Sequence, residues 1–495
     1  MRLIIYPDAG MNVFLIKWDY NNEDNLAIAK GLENQGHKIK YWVGTSPEDV
    51  SSPSRRNFTK TVFHNIFDAI AGRPAAEFKD ISFPPPGEKT IKDFFETESI
   101  LATIKQFEKL TPSVLEKKSV YHGFLEYWFG IINKLKPEAV IFSVQPHAGF
   151  DFVLYSIAKH LKIKTVIFEY TGVSDRHFVI NDYSVGCDKL RKEIEDNRGK
   201  AIGIKDLSSD IREFYLRQAD RARQAISKEV GNIKKSFSGF NLVLIKLRML
   251  KRAIADFSFL KKSYFYFKKK LGKNFRKEYI EVQIQPDWNK KFIYLALHYQ
   301  PEAATSPLGG VFVDQLLMIK NLAYALPDNW VIYVKEHPVQ WLISGLNYTS
   351  FRYPGYYKSI SEIKNVKIVP IDTSAEELIE KSEAVATITG SAGREALLRK
   401  KPVIIFGYPN YRYCPGAFKV NDVLSCQAAI TKIKSGFILE ERDILNYLYS
   451  LDRISIHTYF EISAKKLSKL TPAEHVEIMT GAIVRELEAK PFGAI

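Results

Sequence analysis

The sequence predicts an α/β protein of two doubly wound domains facing a central cleft, with a helical basic insertion between their two sets of strands. Three observations predict it. Short apolar runs rich in β-branched and aromatic residues recur in both halves of the 495-residue chain, each followed by a helical pattern. Most runs are continuously apolar rather than alternating, as in strands buried on both faces of a parallel sheet. Residues 187–285, between the two sets, contain no convincing strand and carry a basic, aromatic stretch. Strands alternating with helices imply βαβ units.

In the first half the expected strands are Leu3–Tyr6, Lys38–Val43, Ala139–Ser143 and Thr165–Glu169. Residues 44–125, with a Ser/Pro-rich piece and FPPPGEK, read as a surface excursion with helices. Pro286 and Asn289 mark a linker, which sets the domains at 1–285, including the helical basic segment 187–285, and 286–495. The second set of strands is Phe292–Leu297, Val331–Lys335, Val366–Val369, Val385–Thr389 and Pro402–Phe406. A terminal helix is expected from Thr471 to about Leu487, with Pro472 in its first turn.

Composition narrows the class. Hydrophobic residues at 46% and charged residues at 26% exclude a disordered or collagen-like chain. Cys187, Cys414 and Cys426 form no CxxC pair, which argues against a disulfide framework or a structural zinc site and for a reducing compartment. The net charge of +15 favours a polyanionic partner. MRLIIYPDAGMN does not read as a signal peptide, and no apolar run reaches the roughly 18 residues of a membrane span. A cytoplasmic protein, soluble or peripheral, is expected.

Ligands of doubly wound sheets bind outside the carboxyl ends of the strands. Four groups of residues meet that rule. The loop LHYQPEAATSPLGG follows the run FIYLAL. It crowds His298, Gln300, Glu302 and Ser306 together and closes on Gly309 and Gly310, which can bring backbone N–H groups near an anion. The plainer alternative is a βα loop whose glycines serve turn geometry. VKEHP places Lys335, Glu336 and His337 at a strand end, and Pro338 biases His337 away from helix. Such a histidine can donate to a phosphate or protonate a leaving group, although a lone histidine is more often structural.

In TITGSAGREAL a strand turns through small residues into a helix. Thr389, Gly390, Ser391 and Ala392 suit a phosphate there, and Glu395, one turn in, suits ribose hydroxyls. The alternative is close packing through Gly390 and Gly393, with Ser391 as an N-cap and Glu395 on a solvated face. In the first half Asp8 and Asn12, His147 and Asp151, and Glu169 and Tyr170 follow or end expected strands. A carboxylate among them can serve as base or nucleophile. Asp8 as a turn residue, Asp151 as a helix cap and Glu169 as a structural acceptor are the alternatives.

The stretch 242–277 interleaves ten lysines and arginines, from Lys251 to Lys277, with Phe257, Phe259, Tyr264, Phe265, Tyr266 and Phe267. That pattern suits an interfacial helix on anionic lipid. A solvated helix packed by its aromatic side is the alternative, and no nucleic-acid-binding signature accompanies the charge.

LHYQPEAATSPLGG, VKEHP and TGSAGREALLRKKPVIIFGYPNY together resemble bacterial capsule and surface polysaccharide biosynthesis proteins, and within them the family that includes the Kdo transferases of capsule export. The resemblance is clearest over 290–415, architectural only over 1–180, and absent over 187–285. It implies a GT-B-like glycosyltransferase with two Rossmann-like domains and the nucleotide-sugar donor on the C-terminal one. It implies no metal and no cofactor beyond that co-substrate, with CMP-Kdo as the model donor. By the same resemblance His337 contacts the donor phosphate, Thr389, Gly390, Ser391 and Ala392 cradle it, and Glu395 takes the ribose position. The commoner pair of glutamates eight residues apart is missing, since position 403 is Val. The implied acceptor is a lipid-linked or growing surface polysaccharide. The implied location is the inner face of the cytoplasmic membrane, through 242–277. The family's N-terminal catalytic carboxylate does not align, so Asp151 and Glu169 are candidates by position alone, beside His337. Rival readings are a polyol-phosphate transferase, a nucleotide-sugar epimerase and a non-catalytic membrane-peripheral assembly factor.

Overall fold

The computed structural model describes residues 10–19, 22–45, 57–104, 113–219, 275–340, 351–460 and 462–489. The chain forms two compact units. One comprises Met1–Ala201, Asp206–Ile211 and Leu448–Ile495; the other comprises Ile202–Lys205 and Arg212–Tyr447. The division therefore differs from a cut at 285/286: the last part of the chain belongs with the first unit.

The first unit is built on β1 (Asn12–Ile16), β2 (Lys38–Gly44), β3 (Val62–Asn65), β4 (Ala139–Phe142), β5 (Lys164–Tyr170) and β6 (Arg176–Ile180). The order β3-β2-β1-β4-β5 is parallel throughout. β6 folds back antiparallel on β5, and Ile456–His457 pairs antiparallel with β6. All four residues of β4 are buried, as the unbroken apolar run required. Helix α1 (Glu23–Asn34) starts where Asn22 accepts from the Asp24 and Asn25 amides. It buries Ile28, Ala29 and Leu32 against Val13, Leu15 and Trp42. Helix α2 (Gly149–His160) follows β4.

Two expectations change here. Leu3–Tyr6 and Asp8 lie outside the described residues, and the first described strand is NVFLI, which opens at Asn12. Asn12 is thus at the amino end of β1, bonded to Glu138 Oε2 and the Lys136 carbonyl, and is no ligand-side residue. Residues 62–65, within the expected surface excursion, return to pair with β2 as the sheet edge.

In the span 187–285 the described residues form helices and turns, among them α3 (Ser209–Ala219) and α4 (Phe275–Val282). The expected membrane-docking stretch 242–277 lies outside the described residues except for its last three positions.

The second unit carries β7 (Lys291–Ala296), β8 (Trp330–Lys335), β9 (Val366–Ile368), β10 (Ala384–Thr387), β11 (Val403–Ile405) and β12 (Ala417–Lys419). All pairs are parallel, in the order β12-β11-β10-β7-β8-β9. Every residue of β8 and β10 is buried. Helix α5 (Gln315–Ala325) is capped by Asp314, and α6 (Ser391–Leu398) leaves the end of β10. The core joins Leu295, Ile332, Val334 and Ala386 to Met318, Ile319 and Leu322 of α5.

The final helix, α7 (Pro472–Glu488), begins in a capping box of Thr471 and Glu474 with Pro472 in its first turn. Met479, Ile483 and Leu487 enter the core of the first unit beside Ile28 and Leu32. Lys164 Nζ donates to the carbonyls of Glu486, Leu487 and Ala489 and so caps its carboxyl end. No helix among the described residues is long and apolar enough to cross a membrane. Because Ile483 is fully buried, Ile483→Ala is expected to destabilise the first unit by about 2–5 kcal/mol, read as a lower urea midpoint.

Candidate functional site

In the second unit the chain runs from β7 outward to β8 and β9, then returns to the other side of β7 with β10, β11 and β12. The strand order reverses between β7 and β10. The crevice beyond their carboxyl ends is where such a sheet takes ligands. A cavity of about 550 Å³ lies there, bordered by His298, Lys335, His337, Ser391, Arg394 and Glu395 among others. A groove of about 790 Å³ between α1 and α7 in the first unit is larger, but it is lined chiefly by small apolar and acidic side chains. The switch-point cavity has the convergent polar groups.

His298 follows β7 and is almost fully buried. Its Nε2 accepts from the Ile388 and Thr389 amides, both at 3.2 Å, and lies 3.0 Å from Thr387 Oγ1. A nitrogen accepting from two amides carries no proton, so the neutral ring is protonated on Nδ1. Burial pushes its pKa down to about 3, with the charges of His337 and Arg352 acting in the same direction. His298 borders the cavity and fastens the end of β10 to β7. Thr387 Oγ1 accepts the Gly390 amide at 3.2 Å, and Tyr411 donates to the Gly390 carbonyl at 2.6 Å. A Cβ on Gly390 would lie 2.8 Å from Thr387 Oγ1, and one on Gly393 would lie 2.4 Å from Tyr411 Oη. The glycines let helix α6 start hard against the strand end.

Glu336 and Arg352 are both fully buried and form a two-pronged ion pair, with Nε to Oε2 at 2.8 Å and Nη2 to Oε1 at 3.0 Å. Arg352 also donates to Gln300 Oε1, to the His298 carbonyl and to the Phe351 carbonyl. Its five hydrogen bonds match the five N–H donors of a guanidinium. Glu336 accepts in addition from Tyr357 Oη at 2.6 Å and from the His337 amide at 2.7 Å. The pair therefore ties the β7 loop to the β8 loop and sets the backbone at His337.

His337 Nδ1 accepts from the Val339 amide at 3.3 Å, so the neutral ring carries its proton on Nε2. Burial holds its pKa below the ordinary value, and Lys335 and Arg352 push the same way against Glu336. The ring is neutral near pH 7 and offers an Nε2–H donor. Lys335 Nζ donates to the Thr373 carbonyl at 2.6 Å, and burial lowers its pKa. The amides of Ser391 and Ala392 open α6 and have no acceptor within it. Glu395 is buried one turn along, and burial raises its pKa against the opposing charges of Arg394 and Arg399. Two neutral donors at a helix start, beside a histidine N–H, are a pattern that can take a phosphate.

The cavity brings together His298, Glu302, Lys335, His337, Gly390, Ser391, Ala392 and Glu395. Glu336 borders it, but its carboxylate turns to Arg352 and Tyr357 and is a scaffold rather than a ligand group. Gln300 is also scaffold: its side chain joins Val313, Gln315 and Arg352. Thr389 Oγ1 donates to the Ala304 carbonyl at 2.6 Å, and its amide is taken by His298. Ser306 is buried, Gly309 packs on the Thr305 carbonyl and Ile388, and Gly310 takes φ +53°. These four residues shape the loop and do not border the cavity.

Asp151 and Glu169 lie in the first unit, near the reversal between β1 and β4. Asp151 accepts from the Ala148 amide at 2.7 Å and the His147 amide at 3.3 Å, and pairs with Lys17 at 2.6 Å. It caps α2 and is fully buried. His147 Nδ1 donates to the Gln145 carbonyl at 2.6 Å, leaving Nε2 toward Lys17. Glu169 is buried and accepts from Gln145 Nε2 at 2.7 Å. Tyr170 donates to the Ser174 carbonyl.

Sequence reasoning gave no role to Arg352, or to Tyr294, Thr387 and Arg394, which border the cavity. Arg394 was readable, since it sits three residues after Ser391 on one helix face. Arg352 was not: its partners are 16 and 52 residues away. Among the described residues no group of three His, Cys, Asp or Glu side chains is placed to hold a metal ion.

Residues 303–417 match the model of the family described as capsule polysaccharide biosynthesis protein. That span holds Lys335, His337, Gly390, Ser391 and Glu395. No curated protein matches the chain. Among solved structures, the β-Kdo 2,7-transferase of KpsC from Thermosulfurimonas dismutans is similar at 11% identity and TM-score 0.28, covering 75% of this chain and 91% of that one. The β-Kdo 2,4-transferase of the same protein gives 14% and 0.27, over 63% of this chain and 87% of that one. The UDP-GlcNAc 2-epimerase of Neisseria meningitidis gives 13% and 0.24, over 96% and 99%.

Two outcomes follow from the site's electrostatics. Glu336→Gln, which strands the Arg352 cation, is expected to cost about 3–5 kcal/mol, and the double change Glu336→Leu with Arg352→Met to cost less; urea unfolding measures both. His298 has a folded pKa of about 3, below its unfolded value near 6.5, so its contribution is complete above pH 6.5 and is lost as pH falls. Stability should drop by about 1.4 kcal/mol per pH unit below that point. His298→Asn should remove about 2 kcal/mol of the wild-type loss between pH 7.5 and 5.

Proposed function

We propose that the chain is a metal-independent glycosyltransferase of the GT-B type. It takes a sugar from a nucleotide-sugar donor and adds it to a lipid-linked or growing surface polysaccharide. One observation carries this reading: at the switch point of the second unit, the His337 ring and the Ser391 and Ala392 amides border one cavity, with Glu395 one turn along. The family match over 303–417 supports it, since the span contains those residues.

The chemistry needs stabilisation of a leaving phosphate while the sugar passes through an oxocarbenium-like state. Donors fixed before the reaction do this without reorganisation. In this reading the helix-start amides and the His337 Nε2–H meet the leaving phosphate, and Glu395 receives ribose hydroxyls. Asp151 and Glu169 are both candidates for an acceptor-side carboxylate; Asp151 pairs with Lys17 and accepts from two amides, and Glu169 accepts from Gln145. The basic stretch 242–277 docks the enzyme on the anionic inner leaflet, where the acceptor lies. Replacing its lysines by glutamates should abolish vesicle binding; unchanged binding removes that link.

Thermal shifts with CMP, CDP, UDP, GDP and dTDP test the donor site. A nucleotide at 100 times its dissociation constant adds about 2.7 kcal/mol. Stabilisation by CMP that weakens in His337→Ala supports a CMP-sugar donor. Selective UDP or GDP binding moves the donor class and keeps the reaction. CDP alone favours transfer of a polyol phosphate. No shift with any nucleotide contradicts the proposal. Chelation by EDTA should leave transfer unchanged, and Glu169→Gln or Asp151→Asn should lose transfer while keeping nucleotide binding.

A further inference from the structure

The donor cavity is bordered by both charge signs, with Glu302, Glu336 and Glu395 beside its cations. Its neutral donors, the His337 Nε2–H and the amides of Ser391 and Ala392, suit one phosphate. Two further cationic side chains, Lys335 and Arg394, border the same cavity. Lys335 is tethered to the Thr373 carbonyl. Arg394 is not held in this way.

Arg394 lies one turn beyond Ser391 on α6 and shares a face with it. Its guanidinium carbon sits 5.7 Å from the ring centre of Phe214 on α3. Stacking on an aromatic ring orients the planar fork without using its hydrogen bonds. Its Nε is buried and has no acceptor in the protein. Burial raises the pKa of its sequence neighbour Glu395, against the charges of Arg394 and Arg399. A buried guanidinium N–H with no acceptor, beside a cavity lined with anion donors, is a ligand group whose ligand is an oxyanion.

We infer that Arg394 binds a second anionic group of the donor, distinct from the leaving phosphate held by His337 and the α6 amides. This rests on the donor reading above and narrows it. The donor carries two anionic centres: either two phosphates, or one phosphate and a carboxylate on the sugar. A guanidinium fork recognises both by the same paired hydrogen bonds.

Calorimetric titration of the full chain separates the sources. The probes are CMP, CDP, UMP, UDP and a CMP-sugar whose sugar bears a carboxylate; the proteins are wild type, Arg394→Gln and Arg394→Lys. The expected result is that Arg394→Gln weakens either the diphosphates or the carboxylate-bearing CMP-sugar by roughly 10- to 100-fold. Its affinity for the monophosphates should stay within about threefold, and Arg394→Lys should recover part of the loss. Whichever probe responds identifies the second anion. Equal weakening of monophosphates overturns the inference and makes Arg394 a ligand of the leaving phosphate. Unchanged binding of every probe also overturns it. If wild type binds no nucleotide at all, the donor reading itself fails. A melting curve matching wild type shows that a variant is folded, and Arg394→Lys stands in for Arg394→Gln if that variant is not.

Discussion

The candidate site depends on one buried ion pair. Arg352 and Glu336 have no exposed side-chain surface, and each is surrounded by groups that complete its hydrogen bonds. A charge removed from water is tolerated only when paired and saturated in this way. The pair reaches the two loops that matter. Through Gln300 and the His298 carbonyl it fixes the chain leaving β7, and through the His337 amide it fixes the chain leaving β8. His298 then reaches across to the end of β10. Three strand ends that meet at a reversal of strand order are thereby locked in register, and the His337 ring and the start of α6 face one cavity.

This arrangement separates scaffold from ligand groups by protonation and direction. His298 uses Nε2 as an acceptor and is consumed within the protein, whereas His337 uses Nδ1 as the acceptor and offers Nε2–H outward. Burial depresses both pKa values, so neither ring adds a permanent charge to the cavity. Charge complementarity to an anionic ligand then falls to Lys335 and Arg394, and the helix start adds partial positive charge. In the proposed reading, neutral donors with a few fixed cations would meet a phosphate without a large desolvation cost on each group.

Much of the fold was legible because its strands are buried on both faces. Apolar-rich runs marked β2, β4, β5 and the strands from β7 to β11, unbroken in β4 and β11 and interrupted by Lys40 in β2 and Lys367 in β9. What failed to show were strands whose burial is arranged by distant partners. β6 opens with Arg176, which is buried only because Asp210 and Asp452 neutralise it. β3 is four residues long and interrupted by His64. β1, NVFLI, was not read as a strand, and the expected strand Leu3–Tyr6 lies outside the described residues. At the site, position after a strand identified Lys335, His337, Ser391 and Glu395. It could not tell which polar residues turn inward: Gln300, Glu336 and Thr389 are scaffold because Arg352, His298 and the Ala304 carbonyl claim them. Such assignments depend on contacts between loops, which sequence spacing does not carry.

The most direct test of the central claim, that the switch-point cavity of the second unit holds the donor phosphate, is a crystal structure of the chain with the nucleotide that stabilises it most. The account predicts a phosphate within hydrogen-bonding distance of His337 Nε2 and of the Ser391 and Ala392 amides, with the Arg352–Glu336 pair unmoved. A nucleotide bound with its phosphate away from those three groups would contradict it.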